Sequence, residues 1–229
     1  MNLDETLQEL EARGTEQNRK IYARHGVTGP MYGVSCAELG KLEKKIKRDQ
    51  ALAEGLWATG NHDARVLAAK VADPKATSGE LLDAWVEDLD DYVLTDALSV
   101  LAGRTPAAAE LMRAWTAAGG EWKSAAGWNL VGMVAAQDGA VSDDELAAYL
   151  ERIRTGIAAA PNRTRYAMNQ ALISIGGYRP ALTARAKAVA AEIGPVEVDH
   201  GETGCKTPDA AAYIDKMVAR REAKTKAKS

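Results

Sequence analysis

The chain has 229 residues, 46% hydrophobic and 27% charged, a balance ordinary for a soluble globular protein able to bury a sizeable core. No apolar run reaches the length of about 18 residues that a membrane-spanning helix needs, and the start MNLDETLQELEARG reads as an acidic amphipathic helix rather than a basic leader followed by an apolar stretch. A cytoplasmic, monomeric protein with no membrane contact is expected. Cys36 and Cys205 lie far apart with no CxxC partner, which argues against a disulfide framework or structural zinc and for buried or inert thiols. The net charge of −3 is uneven, because the stretch ARREAKTKAKS, residues 219–229, holds five cations against Glu222. Such a tail is expected to be disordered and to touch polyanions weakly, or merely to aid solubility, while the acidic remainder argues against a general nucleic-acid binder unless one face is locally basic.

Along the chain, apolar residues recur at three- and four-residue spacing, as in Leu39, Leu42 and Ile46, then Leu52, Leu56 and Trp57, then Val66, Leu67 and Val71. Breakers separate the segments: Gly26 to Pro30, Gly60-Asn61, Asp73-Pro74, Arg104 to Pro106, Gly119-Gly120, Pro161-Asn162, Arg179-Pro180 and Gly194-Pro195. Ser35 before Glu38, Thr77 or Ser78 before Glu80, and Ser142 before Glu145 have the chemistry of helix N-caps. The pattern predicts about a dozen short helices and no strand. Two helices take roughly 30 to 45 residues, the period of helical-repeat arrays, so the expected fold is all-α, a curved α-solenoid of helical hairpins in one domain over residues 1–218.

Four stretches carry candidate chemistry. KLEKKIKRD crowds Lys41, Lys44, Lys45, Lys47 and Arg48 around Glu43, and such repulsion would be relieved by a polyanion or tolerated on a solvated face. PNRTRYAMNQAL puts Arg163 and Arg165 near a helix N-terminus, where the dipole disfavours cations; with Tyr166 and Asn169 they could meet phosphates and bases, or the arginines could pair with internal acids. In VEVDHGETGCKTPD, the ligand types Asp199, His200 and Cys205 fit no standard metal spacing, and the segment reads as a loop with Lys206 outward. His25 and His62, at helix boundaries, read as caps or surface residues. In DDYVLTDAL, Tyr92 and Asp96 lie one helical turn apart. A carboxylate beside an aromatic face can stabilise a developing sugar cation; equally, Tyr92 could pack in a core while Asp96 pairs with an arginine.

Three blocks, YARHGVTGPMYGVSCAELGKLEKKIKRDQALAEGLWATGNHDARVLAAKVADP, WVEDLDDYVLTDAL and EWKSAAGWNLVG, make most of the chain resemble the DNA alkylation repair family of helical-repeat glycosylases of the AlkD type. The resemblance implies a C-shaped solenoid of HEAT-like repeats whose concave basic face holds duplex DNA, alkylated or not. It further implies removal of cationic alkylated purines such as 3-methyladenine or 7-methylguanine by N-glycosidic hydrolysis without extrusion of the base, and no metal or organic cofactor. The family's catalytic Trp and Asp map onto Tyr92 and Asp96. The Arg expected after Trp122 is replaced in the run Lys123, Ser124, Ala125, and Asn169 stands where a second Trp is expected. Lys44, Lys45, Lys47, Arg163, Arg165, Tyr166, Asn169 and Lys206 are the expected nucleic-acid contacts. With one of four active-site features kept, one altered and two missing, a non-catalytic DNA-binding or protein-interaction relative is the alternative to an enzyme.

Overall fold

Short polar residues at the predicted breaks start the helices. Ser35 accepts from the Glu38 N–H at 3.3 Å, Ser78 from Leu81 at 3.2 Å, and Ser142 from Glu145 at 3.1 Å. Of the Thr77/Ser78 pair, Ser78 is therefore the cap, while Thr77 is buried and donates to Asp73 O and Gln50 Oε1. The structure, a computed structural model, describes residues 1–226, with side chains through Ala223. Among the described residues it contains thirteen α-helices and no strand. No helix among them is long and apolar enough to cross a membrane.

The described residues divide into two compact units, 1–107 with 200–204 and 108–199 with 205–226, where the sequence suggested one domain ending at 218. Unit 1 contains α1 (Leu3–Arg13), α2 (Glu16–Arg24), α3 (Cys36–Ile46), α4 (Gln50–Ala58), α5 (His62–Val71), α6 (Gly79–Trp85) and α7 (Tyr92–Ala102). Its central helix α5 packs on α3, α4 and α7, because its apolar residues run nearly all round: Ala64, Val66, Leu67, Ala68 and Val71 are all buried. Trp57 and Trp85 stack with centroids 4.3 Å apart and planes 2° from parallel.

Unit 2 contains α8 (Ala108–Ala117), α9 (Glu121–Ala135), α10 (Asp143–Gly156), α11 (Asn162–Tyr178), α12 (Thr183–Ile193) and α13 (Ala210–Lys226). Helices α9, α11 and α13 form one layer, with α11 in the middle, and α8, α10 and α12 lie against it. Small residues allow the close approaches. A Cβ on Gly127 of α9 would stand 2.5 Å from the Thr116 backbone nitrogen of α8. Residues 219–226, assigned by composition to a disordered tail, continue α13; Ala, Arg, Glu and Lys are strong helix formers once the helix is anchored by packing. Residues 227–229 of that tail lie outside the described residues.

Candidate nucleic-acid interface

Asp91 begins α7: its Oδ1 accepts from the Val93 and Leu94 N–H groups at 2.7 and 2.9 Å. That cap sets Tyr92 in the first turn and Asp96 one turn on, on the same face. Asp96 is exposed and Tyr92 half-buried. The Tyr92 hydroxyl hydrogen-bonds His25 Nδ1 at the end of α2, and the two rings meet edge-on with centroids 5.6 Å apart. His25 is thus a partner of the candidate site as well as a cap.

His62 departs further from its expected surface role: it is 5% exposed, packs against Tyr22 at 5.4 Å, and holds Nδ1 3.1 Å from Asp91 Oδ2. This contact is short but poorly directed for a hydrogen bond, since Oδ2 makes none with good geometry. Burial pushes the Asp91 carboxyl up, but His62 and the two capping N–H groups outweigh it and hold the value below the ordinary carboxylate range. The neighbouring Asp90 moves the opposite way, raised by burial and by the charge of Asp91. Burial and neighbouring negative charge likewise raise the Tyr22 phenol. The sequence placed His62 and Asp91 29 positions apart, so nothing local signalled their meeting.

The lysine-rich stretch is largely neutralised. Lys41 pairs with Glu38 at 2.5 Å, Lys45 with Glu9 of α1 at 3.2 Å, and Glu43 with Lys70 at 3.1 Å. Arg48 donates to the Lys70 and Ala72 carbonyls. Because α3 ends at Ile46, Lys47 and Arg48 do not lie on the helix as expected. Lys44 and Lys47 are the exposed cations of this group left with neither an acidic nor a carbonyl partner for the side chain among the described residues. Lys47 also holds φ +68°, the one non-glycine residue with positive φ among those described. Cys36, in the first turn of α3, is exposed rather than buried, as is Cys205; neither is in a disulfide among the described residues.

In unit 2 the expected DNA contacts of α11 separate. Arg163 lies over the Tyr166 ring at 4.8 Å, and both are half-buried. Arg165 instead turns inward: its guanidinium donates to Glu197 O at 3.1 Å and Ala160 O at 3.0 Å, lining a cleft of about 470 Å³ with Ile157, Ile193 and Val196. The carbonyls answer the question of why a cation tolerates a helix N-terminus, and they take Arg165 off the list of DNA contacts. Asn169 leaves that list as well, being 0% exposed with Nδ2 donating to Pro208 O at 2.9 Å. Its polarity serves the chain, not a ligand. Lys206 is exposed as expected. The Asp199 backbone exchanges bonds of 2.8 and 2.7 Å with the Asn162 side chain.

A sequence model of a family described as DNA alkylation repair enzyme matches residues 6–214. The chain belongs to the DNA alkylation repair enzyme family. Uncharacterized proteins of Listeria innocua serovar 6a and Listeria monocytogenes serovar 1/2a are 27% and 26% identical to it over 222 residues, 94% of this chain and 97% of each of theirs. Among solved structures, it matches a member of a new family of proteins related to the HEAT-like repeat DNA glycosylases with affinity for branched DNA structures. The TM-score is 0.86 at 34% identity, over 96% of this chain and 95% of that one. The all-α fold is thus that of the HEAT-like repeat proteins of this repair family.

Proposed function

We propose that this member of the DNA alkylation repair family is primarily a DNA-binding protein that engages duplex DNA and prefers branched forms, with base excision weak or absent. The observation that carries the reading is the near-complete match to a protein described as related to the glycosylases yet having affinity for branched DNA. Two features of the chain's own site agree with it. Tyr92 stands where the resemblance places a Trp, and its hydroxyl is bound by His25, which orients the phenol edge-on to the imidazole. The Arg and second Trp positions of the resemblance hold other residues, and Asn169 is buried. Lys44, Lys45, Lys47, Arg163, Tyr166 and Lys206 are the residues proposed to meet backbone or bases, Lys44 and Lys47 with most effect because no carboxylate among the described residues competes for them.

Retention and exposure of Asp96 favour a second reading, slow excision of a cationic alkylpurine. In that reaction the bond from the sugar C1′ to the base nitrogen breaks and the purine leaves neutral. Asp96 stabilises the sugar cation, and water adds to C1′ and yields its proton to solvent. Loss of donors or walls around a developing charge costs factors of about 100 or more each, so the rate would be small. One experiment tests both readings: methylated duplex is incubated with wild-type protein and Asp96→Asn, freed purine is quantified by mass spectrometry, and binding of linear and branched DNA is measured on the same preparations. Salt-sensitive binding with no release supports the binding protein; release abolished in Asp96→Asn supports the enzyme. Wild-type protein that binds no DNA would refute the proposal.

A further inference from the structure

Helix α13 carries two stripes of identical spacing. Ile214, Met217 and Arg221 face α11: Ile214 is 0% exposed, and Arg221 Nη1 donates to Gly177 O at 2.6 Å. A methyl on Gly176 would stand 2.8 Å from Ile214, and one on Gly177 2.5 Å from Met217, so two glycines form the notch that receives them. Tyr213, Lys216 and Arg220 occupy the same three positions one residue earlier, which turns their stripe about 100° around the helix. Docking of the first stripe therefore holds the second in a fixed orientation, away from α11.

That second stripe has an unusual composition for a surface. Tyr213 is 46% exposed, one of three large hydrophobic residues so exposed among those described, and Lys216 Nζ lies 4.8 Å from its ring centroid. Lys216 and Arg220 are exposed and have no acidic partner among the described residues, since Asp215 is taken by Lys187 at 2.8 Å. An aromatic face flanked by unpartnered cations matches what an unpaired base and its phosphates require, a ring for stacking and positive charge for the backbone. A protein partner fits less well, because Tyr213 is the only apolar group in the stripe.

We infer that Tyr213, Lys216 and Arg220 form a DNA contact of their own, in which Tyr213 stacks on an unpaired base at a branch point and the two cations take the adjoining phosphates. The inference rests on the DNA-binding reading above and gives it a chemical basis for preferring branched over linear DNA.

Anisotropy titrations of the full chain with a labelled fork carrying unpaired bases, and with a linear duplex of equal length, test it. Stacking of one base is lost in Tyr213→Ala, so fork affinity should fall about tenfold while duplex affinity changes less than about twofold; Tyr213→Phe should bind like wild type. Lys216→Ser and Arg220→Ser should each lower the slope of log affinity against log salt by about 0.7 to 0.9. Melting curves check that each exposed substitution leaves the fold intact. Wild-type binding with the fork affinity of Tyr213→Ala unchanged overturns the stripe alone, as does a Tyr213→Phe variant no better than Tyr213→Ala. Wild-type protein that binds neither DNA overturns the DNA-binding reading and the stripe with it.

Discussion

Asp63 offers a quantitative test of how unit 1 is held together. It is fully buried in the first turn of α5, and its carboxylate accepts three backbone N–H groups: Tyr32 at 2.7 Å and Gly33 at 2.9 Å on Oδ2, Val34 at 2.9 Å on Oδ1. The segment so held is a junction. Gly33 O accepts from Thr15, Tyr32 O from Arg19, and Val34 O from the Tyr22 hydroxyl, before Ser35 caps α3. Hydrogen bonds to a charged group contribute about 1.5–3 kcal/mol each, so Asp63→Ala should cost about 5–9 kcal/mol, comparable to the whole stability of a domain. In Asp63→Asn an amide oxygen can still serve Tyr32 and Gly33, but the NH2 group then meets the buried Val34 N–H donor to donor. The expected loss is about 2–4 kcal/mol. Urea unfolding followed by circular dichroism measures both. An Asn variant within 1 kcal/mol of wild type would refute the view that ionised oxygens organise this junction.

Three further outcomes are expected. Because the folded value of Asp91 lies below the unfolded value of about 3.9, its contribution to stability is complete well above pH 4 and lost as pH falls through the folded value; urea midpoints should drop between pH 5 and pH 3 in wild type and drop less in Asp91→Asn. Gly127→Ala drives a methyl against the α8 backbone, which cannot swing away as a side-chain end can, and should cost about 3 kcal/mol or more by thermal or urea unfolding. Lys47→Gly relieves the strain of φ +68° and should raise stability by about 0.5–1 kcal/mol while weakening DNA binding, so a destabilised variant, or one with unchanged affinity, counts against Lys47 as a strained contact residue.

Helices and their starts were legible because their causes are local. Ser35, Ser78 and Ser142 cap N–H groups three residues ahead, and three-to-four spacing marks the buried face of each following helix. The division into two units was not legible, since it depends on which helices share a layer, and so was the order of residues 219–226. Their helix is pinned by contacts of Ile214 with Gly176 and of Met217 and Arg221 with Gly177, partners at least 38 positions away.

Charged side chains divide along the same line. An arginine or lysine announces its charge in the sequence, but whether that charge is available to a ligand depends on the nearest oxygen, which distant segments supply. Glu9 takes Lys45 across 36 residues, and the Glu197 carbonyl takes Arg165 across 32. Both cations look the same in sequence as Lys44 and Lys216, which keep no such partner among the described residues. The histidines show the converse: His62 and His25 lie at helix ends, where exposure is the local expectation, yet the fold sets one 3.1 Å from Asp91 and the other on Tyr92. A short stretch of sequence can therefore nominate Tyr92 and Asp96 by spacing, but not the His25 that holds the Tyr92 hydroxyl. The same logic explains why the most informative surface of unit 2 lay unread: Tyr213, Lys216 and Arg220 become a stripe only once the notch at Gly176 and Gly177 decides which side of α13 faces inward.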